Sequence, residues 1–271
     1  MPVTPLDQKP SELTIEIGPA ARGDERAPAD AEHEQEFERR WAGLCAANPR
    51  LFNGPILAYN AFDASTSTVR AHTSDYKHLA VQRDFDSRLP GGTTILSVTG
   101  ILTATAQGNT RCVCVAQRSH STRVYGGLWE LAPSGGIDVP GGIDSPGEID
   151  TPRDSSLLAF DGELAATALK TELKEELGLE PYTCDWSAAR ILGLVLDERS
   201  GSLDIMFHVE HRPPRSAQPI PIGLWPASGG SSWEYEAVRW VPLIELADFV
   251  RTSPCIPPMV DVVESGLLDR L

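Results

Sequence analysis

Basic residues are scarce in this chain. Of its 271 residues, 23 are lysine or arginine against 38 aspartate or glutamate, a formal net charge of −15. So acidic a chain lacks the clustered cations with which proteins grip nucleic acid or anionic membrane without regard to sequence, so neither is an expected partner. No apolar run approaches the roughly 18 residues of a bilayer-spanning helix, and residues 1–7 have neither a basic nor an apolar leader segment. A cytoplasmic protein is expected. The five cysteines, Cys45, Cys112, Cys114, Cys184 and Cys255, are odd in number and have no C-x-x-C spacing, so they are expected reduced. Cys112 and Cys114 share one face of a strand and read as small buried side chains. The six histidines show no triad or zinc spacing and are assigned no role. The expected partner is a small molecule. A phosphorylated one is compatible with the acidic charge, because a bound cation and a few local arginines invert the field inside a cleft.

Along the chain, residues 1–30 read as a partly loose leader with one short strand at 13–17. Ala31 to Ala47 reads as a charged amphipathic helix that buries Phe37, Trp41 and Leu44 and stops at Asn48-Pro49. A strand pair at about 55–62 and 67–72 and a helix from near Ser74 complete an N-terminal α/β unit, residues 1–90. From residue 91 the pattern turns strand-rich. Strands at 94–104 and 111–117 are joined by the turn Gln107-Gly108-Asn109, and a second pair is expected at 189–196 and 202–210. A proline-, glycine- and serine-rich loop at 212–231, a strand at 237–241 and helices at about 242–251 and 257–268 end the chain. Strands, one central helix and terminal helices make an α/β protein with helices packed on a sheet.

Thr171-Glu-Leu-Lys-Glu-Glu-Leu-Gly-Leu179 carries the most chemistry. Glu172, Glu175 and Glu176 stand at i, i+3 and i+4, neighbours on one helical surface, where three carboxylates repel one another and weaken the helix unless a cation relieves them. Mg²⁺ suits such a surface, since it takes oxygen ligands, keeps several waters and is held through one or two carboxylates plus substrate phosphates. Upstream, Ala165, Leu169, Leu173 and Leu177 form the apolar stripe of the same helix, and Glu163 lies eight positions before Thr171. Further upstream, Gly-Gly-Ile-Asp occurs twice, at 135–138 and 141–144.

This ensemble resembles the Nudix box of the Nudix hydrolases, G-x5-E-x7-R-E-U-x-E-E-x-G-U with U aliphatic. Glu172, Leu173, Glu175, Glu176, Gly178 and Leu179 match its second half and Glu163 its first glutamate. Two positions depart. Thr171 stands where the family has an arginine that orients a glutamate of the box, and Leu157 where it has glycine. Gly142-x5-Glu148 satisfies the first half instead, at the cost of 22 residues before Thr171. Either way, a Gly/Pro/Ser/Asp-rich insertion at about 143–160 interrupts the box, and a polar surface loop of that kind costs little closure entropy.

The resemblance implies an α/β/α sandwich with a mixed sheet over residues 91–271. It also implies metal-dependent cleavage of a nucleoside diphosphate linked to another group, with Mg²⁺ or Mn²⁺ held by Glu172, Glu175 and Glu176 and with Glu163 as an auxiliary ligand. A further carboxylate outside the box usually completes such sites; Glu236 is the candidate and Glu234 its substitute. Arg118 and Arg123, near the end of an expected core strand, suit phosphate oxygens. Asn48-Pro-Arg-Leu-Phe-Asn-Gly54 with Thr73-Ser-Asp-Tyr-Lys77 is similar to the N-terminal region of the Nudix enzymes that cleave UDP-glucose and UDP-galactose. That points to a nucleotide-sugar substrate cleaved to UMP and sugar 1-phosphate, with Phe52 or Tyr76 stacking on the base. ADP-ribose hydrolysis and a non-catalytic nucleotide-binding protein, the latter motivated by Thr171, remain as alternatives. A homodimer is compatible with the sequence.

Overall fold

The strand Ile95–Thr105 (β5) is the hinge of the architecture, because both of its edges are shared. In the computed structural model, which describes residues 3–18, 31–49, 51–82, 93–140, 158–213, 223–225 and 233–271, the chain before it forms β1 (Val3–Gln8), β2 (Thr14–Gly18), α1 (Ala31–Ala47), β3 (Pro55–Asp63), β4 (Thr68–Asp75) and α2 (Tyr76–Gln82). After it come β6 (Arg111–Arg118), β7 (Trp129–Leu131), β8 (Ser134–Gly136), β9 (Leu158–Asp161) and α3 (Glu163–Leu177). The chain continues through β10 (Arg190–Asp197), β11 (Ser202–His211), β12 (Gly223–Trp225), β13 (Tyr235–Pro242), α4 (Leu246–Thr252) and α5 (Pro257–Glu264).

On one edge β5 runs parallel to β11 over ten residue pairs, from Ile95↔Ser202 to Ala104↔His211. Its other edge is divided. Thr103–Thr105 pair with β6, while Ser97–Thr99 pair with β8, and β7 hangs from β6 instead. The sheet therefore parts between β5 and β7, and the chain from β7 to β8 passes through that opening. β10 and β1 extend the sheet on one side, β13 and β12 on the other, all antiparallel.

Strand alternation sends side chains to two faces. Leu96, Val98, Leu102, Phe207 and Trp240 meet Ala165, Leu169 and Leu173 of α3 on one face. Ile101, Val115 and Met206 meet Phe249 of α4 and Met259 and Val262 of α5 on the other. The result is the expected α/β architecture, a mixed sheet covered on both faces. Burial of Leu169 and Leu173 alone contributes about 1.5–3 kcal/mol each to holding α3 down. The helix stops at Gly178, whose φ of 65° is left-handed and whose N–H closes back on the Leu173 and Lys174 carbonyls.

The N-terminal elements do not close a separate core. Leu13, Ile15, Ile17, Leu57 and Val69 belong to the same apolar cluster as Val98 and Leu173, so the expected units 1–90 and 91–271 share one interior. β3, β4, β2 and β9 form a sheet continuous with the first through the single pair Ala58↔Ile95. Two expectations change here. The leader carries a second strand, β1, which docks on β10, and the last residues assigned to the inserted loop form β9, antiparallel to β2 from Ile17↔Leu158 to Thr14↔Asp161. Backbone hydrogen bonding to a distant strand overrides turn-like composition in both. The rest of that insertion, residues 141–157, including Gly142 and Glu148, lies outside the described residues, as does most of the loop at 212–231. Among the described residues no helix is long and apolar enough to cross a membrane.

Candidate active site

The last turn of α3 delivers its carboxylates to the opening in the sheet. Glu176 is buried at 6% exposure. Its Oε2 accepts the Ser134 N–H at 2.9 Å and the Tyr235 hydroxyl at 3.0 Å, while its Oε1 is buried and meets no donor among the described residues. Glu172, one turn earlier, lies across β8, and a Cβ built on Gly135 would overlap its carboxylate. Gly135 is thus the residue type that lets this acid reach the opening. Glu175 is exposed on the same side of the helix.

Among the described residues no lysine or arginine pairs with Glu172 or Glu176. Burial comes first in raising Glu172, then the charges of Glu234, Glu175 and Asp138, and together they push its pKa up to about 8. Glu176 is held far above the usual carboxylate range by burial, then by the Glu234 carboxyl beside it and the charges of Glu172 and Glu130. Neighbours that repel the ionised form favour a proton on these carboxyls or a cation among them.

Beside the trio lies a cavity of about 340 Å³, within the size range of small-ligand sites. Arg118, Glu130, Asp204 and Glu234 line it, with Tyr76 and Trp233 among its aromatic walls. Its other acids are compensated. Glu130 is paired with Arg118 at 2.7 Å, although burial still raises its pKa. Asp197 accepts the Tyr125 hydroxyl at 2.7 Å and the N–H groups of Arg199 and Ser200 at 3.0 and 3.2 Å. Asp204, pushed up to about 6 by burial, is held by the hydroxyls of Ser202 at 2.8 Å and Thr99 at 3.1 Å.

No family model matches this chain, and no curated protein matches it. Solved structures do. The Nudix hydrolase RenU of M. smegmatis is similar to it at 15% identity and a TM-score of 0.40, over 65% of this chain and 86% of that one. A Nudix hydrolase from Alicyclobacillus acidocaldarius is similar at 12% and 0.42, over 65% and 91%. The Nudix domain of Shewanella oneidensis NrtR, complexed with ADP ribose, is similar at 18% and 0.37, over 66% and 89%. At such identities and scores the likeness assigns no role to any residue here; the side chains themselves must do so.

Of the residues singled out by sequence, Glu172, Glu176 and Tyr76 reach the site or its cavity, and Glu175 contributes charge at its rim. Glu163 does not. The helix runs unbroken from Glu163, so Glu172 lies nine residues on, about 13 Å along the axis and half a turn round it. Glu163 is exposed and stands 3.9 Å from Lys170 instead. Glu236 is also elsewhere. It is the extra residue of a bulge between Tyr235 and Ala237, which breaks the two-residue alternation, and its carboxylate takes the His120 N–H at 2.9 Å. Its substitute, Glu234, faces the cavity and raises both buried glutamates.

Phe52 is 76% exposed and absent from the cavity wall; the chain turns there so that Asn53 can cap α2 through the Lys77 N–H. Arg118 and Arg123 line the cavity, but both are engaged in holding its walls. Arg118 is tied to Glu130 and to the Val124 carbonyl, and Arg123 donates to the Ala80 carbonyl at the end of α2. Thr171 is exposed and returns its hydroxyl to the Thr167 carbonyl. Glu176 is oriented instead by the Ser134 N–H and the Tyr235 hydroxyl. Glu130 and Asp204 escaped the sequence reading. A glutamate between Trp129 and Leu131 on a short strand was a usable signal for the first; the second carries none.

The donor set suits a hard divalent cation, since every group is a carboxylate or hydroxyl oxygen. Among the described residues no three metal-ligating side chains close on a point. The buried, donor-less Oε1 of Glu176 and the passage kept open by Gly135 are where such an ion fits.

Proposed function

We propose that the protein hydrolyses nucleoside diphosphate derivatives with Mg²⁺ or Mn²⁺, with UDP-glucose and UDP-galactose preferred and UMP and sugar 1-phosphate as products. The observation that carries the reading is the gathering of Glu172, Glu176 and Glu234, carboxyl groups that raise one another, at the edge of a ligand-sized cavity. When bound, the cation supplies charge neutralisation on the diphosphate and acidifies an attacking water. The chain's own residues do the rest. Glu172 and Glu176 would hold the ion from α3, with Glu175 at the rim and Glu234 on the β13 side adding negative charge around it. Ser134 N–H and Tyr235 fix Glu176 in place, so a 1 Å error in ion position is resisted by buried hydrogen bonds. Tyr76, joined by Trp233, offers a face for the base.

The test is a panel of UDP-sugars, ADP-ribose, dinucleoside polyphosphates and coenzyme A with Mg²⁺ or Mn²⁺, followed by release of phosphomonoester. Hydrolysis of UDP-sugars that chelation abolishes is the expected result. A higher kcat/KM for ADP-ribose than for every UDP-sugar overturns the base and sugar assignment alone; no phosphomonoester with any substrate or metal overturns the hydrolase.

A further inference from the structure

The cavity floor is polar where a central sheet face is ordinarily apolar. Ser97 and Thr99 on β5 and Ser202 and Asp204 on β11 project from neighbouring parallel strands, Ser97 directly beside Asp204 in the register, and all four line the cavity. Further along the same face the pattern returns to Ile101 and Met206, which sit in the core. Three of the four side chains are fully accounted for. Thr99 and Ser202 donate to the two oxygens of Asp204, and Ser200 and Ser202 share a further contact at 2.9 Å.

Ser97 is different. It is 6% exposed, it faces the cavity, and its hydroxyl makes no hydrogen bond among the described residues. That hydroxyl opens on the cavity, where water can meet it, so it is available to a partner that comes from outside the chain. The chemistry of that partner is constrained by the charge around it. Asp204 lies beside Ser97, and Asp197 and Glu130 lie on the same cavity wall, whose two arginines are engaged elsewhere, Arg118 with Glu130 and Arg123 with the Ala80 carbonyl. A phosphate brought to this floor would face carboxylates; a neutral hydroxyl would find acceptors in Asp204 and both a donor and an acceptor in Ser97.

We propose that this floor reads the hydroxyl groups of the moiety attached to the diphosphate, with Ser97 and Asp204 as the discriminating pair, and turns away a moiety that carries further phosphate. The inference rests on the hydrolase reading for the position of the diphosphate: the cation site at Glu172 and Glu176 holds the charged part at the rim, and the floor receives what lies beyond it.

The experiment compares UDP-glucose with the methyl ester of UDP, which keeps the diphosphate linkage and lacks the sugar hydroxyls, in wild type, Ser97→Ala and Asp204→Asn. Ser97→Ala removes a group without a partner, so its melting temperature should equal or exceed that of wild type. Its KM for UDP-glucose should rise about 5-fold, the effect of one hydrogen bond, with KM for the methyl ester and kcat for both unchanged. Asp204→Asn should show the same selective rise, larger in size. Wild type should bind a 6-phosphorylated UDP-sugar more weakly than UDP-glucose. Equal shifts on both esters in both variants, or tighter binding of the phosphorylated sugar, would overturn the assignment. If wild type cleaves nothing, the hydrolase reading fails separately, and the same ratios measured as Kd by calorimetry with Mg²⁺ still decide this one.

Discussion

Two groups of acids stand in and beside one cavity, and they differ in what surrounds them. Glu130, Asp197 and Asp204 are each paired: with a guanidinium, with two N–H groups and a phenol, and with two hydroxyls. Glu172 and Glu176 have their own kind for neighbours, and one oxygen of Glu176 has no donor among the described residues. The first arrangement is what a fold does to keep polar groups inside; the second is relieved by a proton or by an outside cation. Burial alone therefore does not mark the functional acids. The absence of internal compensation does.

The contrast breaks most severely at Arg118. Arg118→Leu strands Glu130 as an unpaired buried charge and should cost about 3–5 kcal/mol of stability, read as a large fall in the urea midpoint. Glu130→Gln with Arg118→Leu together should recover most of it. A single variant as stable as wild type would show that the two groups of acids are not differently supported. Glu176→Gln does the opposite. It removes an uncompensated charge, so the melting temperature should hold or rise, while kcat falls about 10²-fold or more; near-wild-type turnover at saturating Mg²⁺ would remove Glu176 from the site.

The smallest effect separates the groups by pH. The folded-state pKa of Glu172 is raised from the usual 4.5 to about 8, so the folded protein binds a proton that the unfolded chain has lost. That contribution to stability is complete below pH 4.5 and disappears as pH rises through about 8. Mg²⁺ competes for the ionised form, so it should raise the melting temperature by a few degrees at pH 8 and hardly at all at pH 5. An equal Mg²⁺ effect at both values would place the ion elsewhere.

How much of this was readable beforehand follows from the range of the interactions. α3, its apolar stripe and the spacing of Glu172, Glu175 and Glu176 are local consequences of helical periodicity, and they were legible. The α/β layering followed from the order of the elements. Glu234 and Glu236 were separable only by a bulge against β6, and bulges leave no mark in a single strand's sequence. Glu163 looked close to the box because a motif counts residues, whereas an unbroken helix converts the same count into distance. Ser97 and Asp204 meet through a parallel register between strands about a hundred residues apart, and nothing near either residue announces the other.

β1 and β2 carry a consequence for the way the protein is made. Arg190 of β10 hydrogen-bonds Asp7 of β1, 183 positions earlier in the chain, and β2 is held on one side by β9, which directly precedes α3. On a ribosome adding about 5–20 residues per second, β1 emerges and then waits on the order of ten seconds or more without its partner, an unpaired strand in a crowded solution. The proline at position 5 and the aspartate at position 7 suit that interval, since both discourage pairing with a foreign strand.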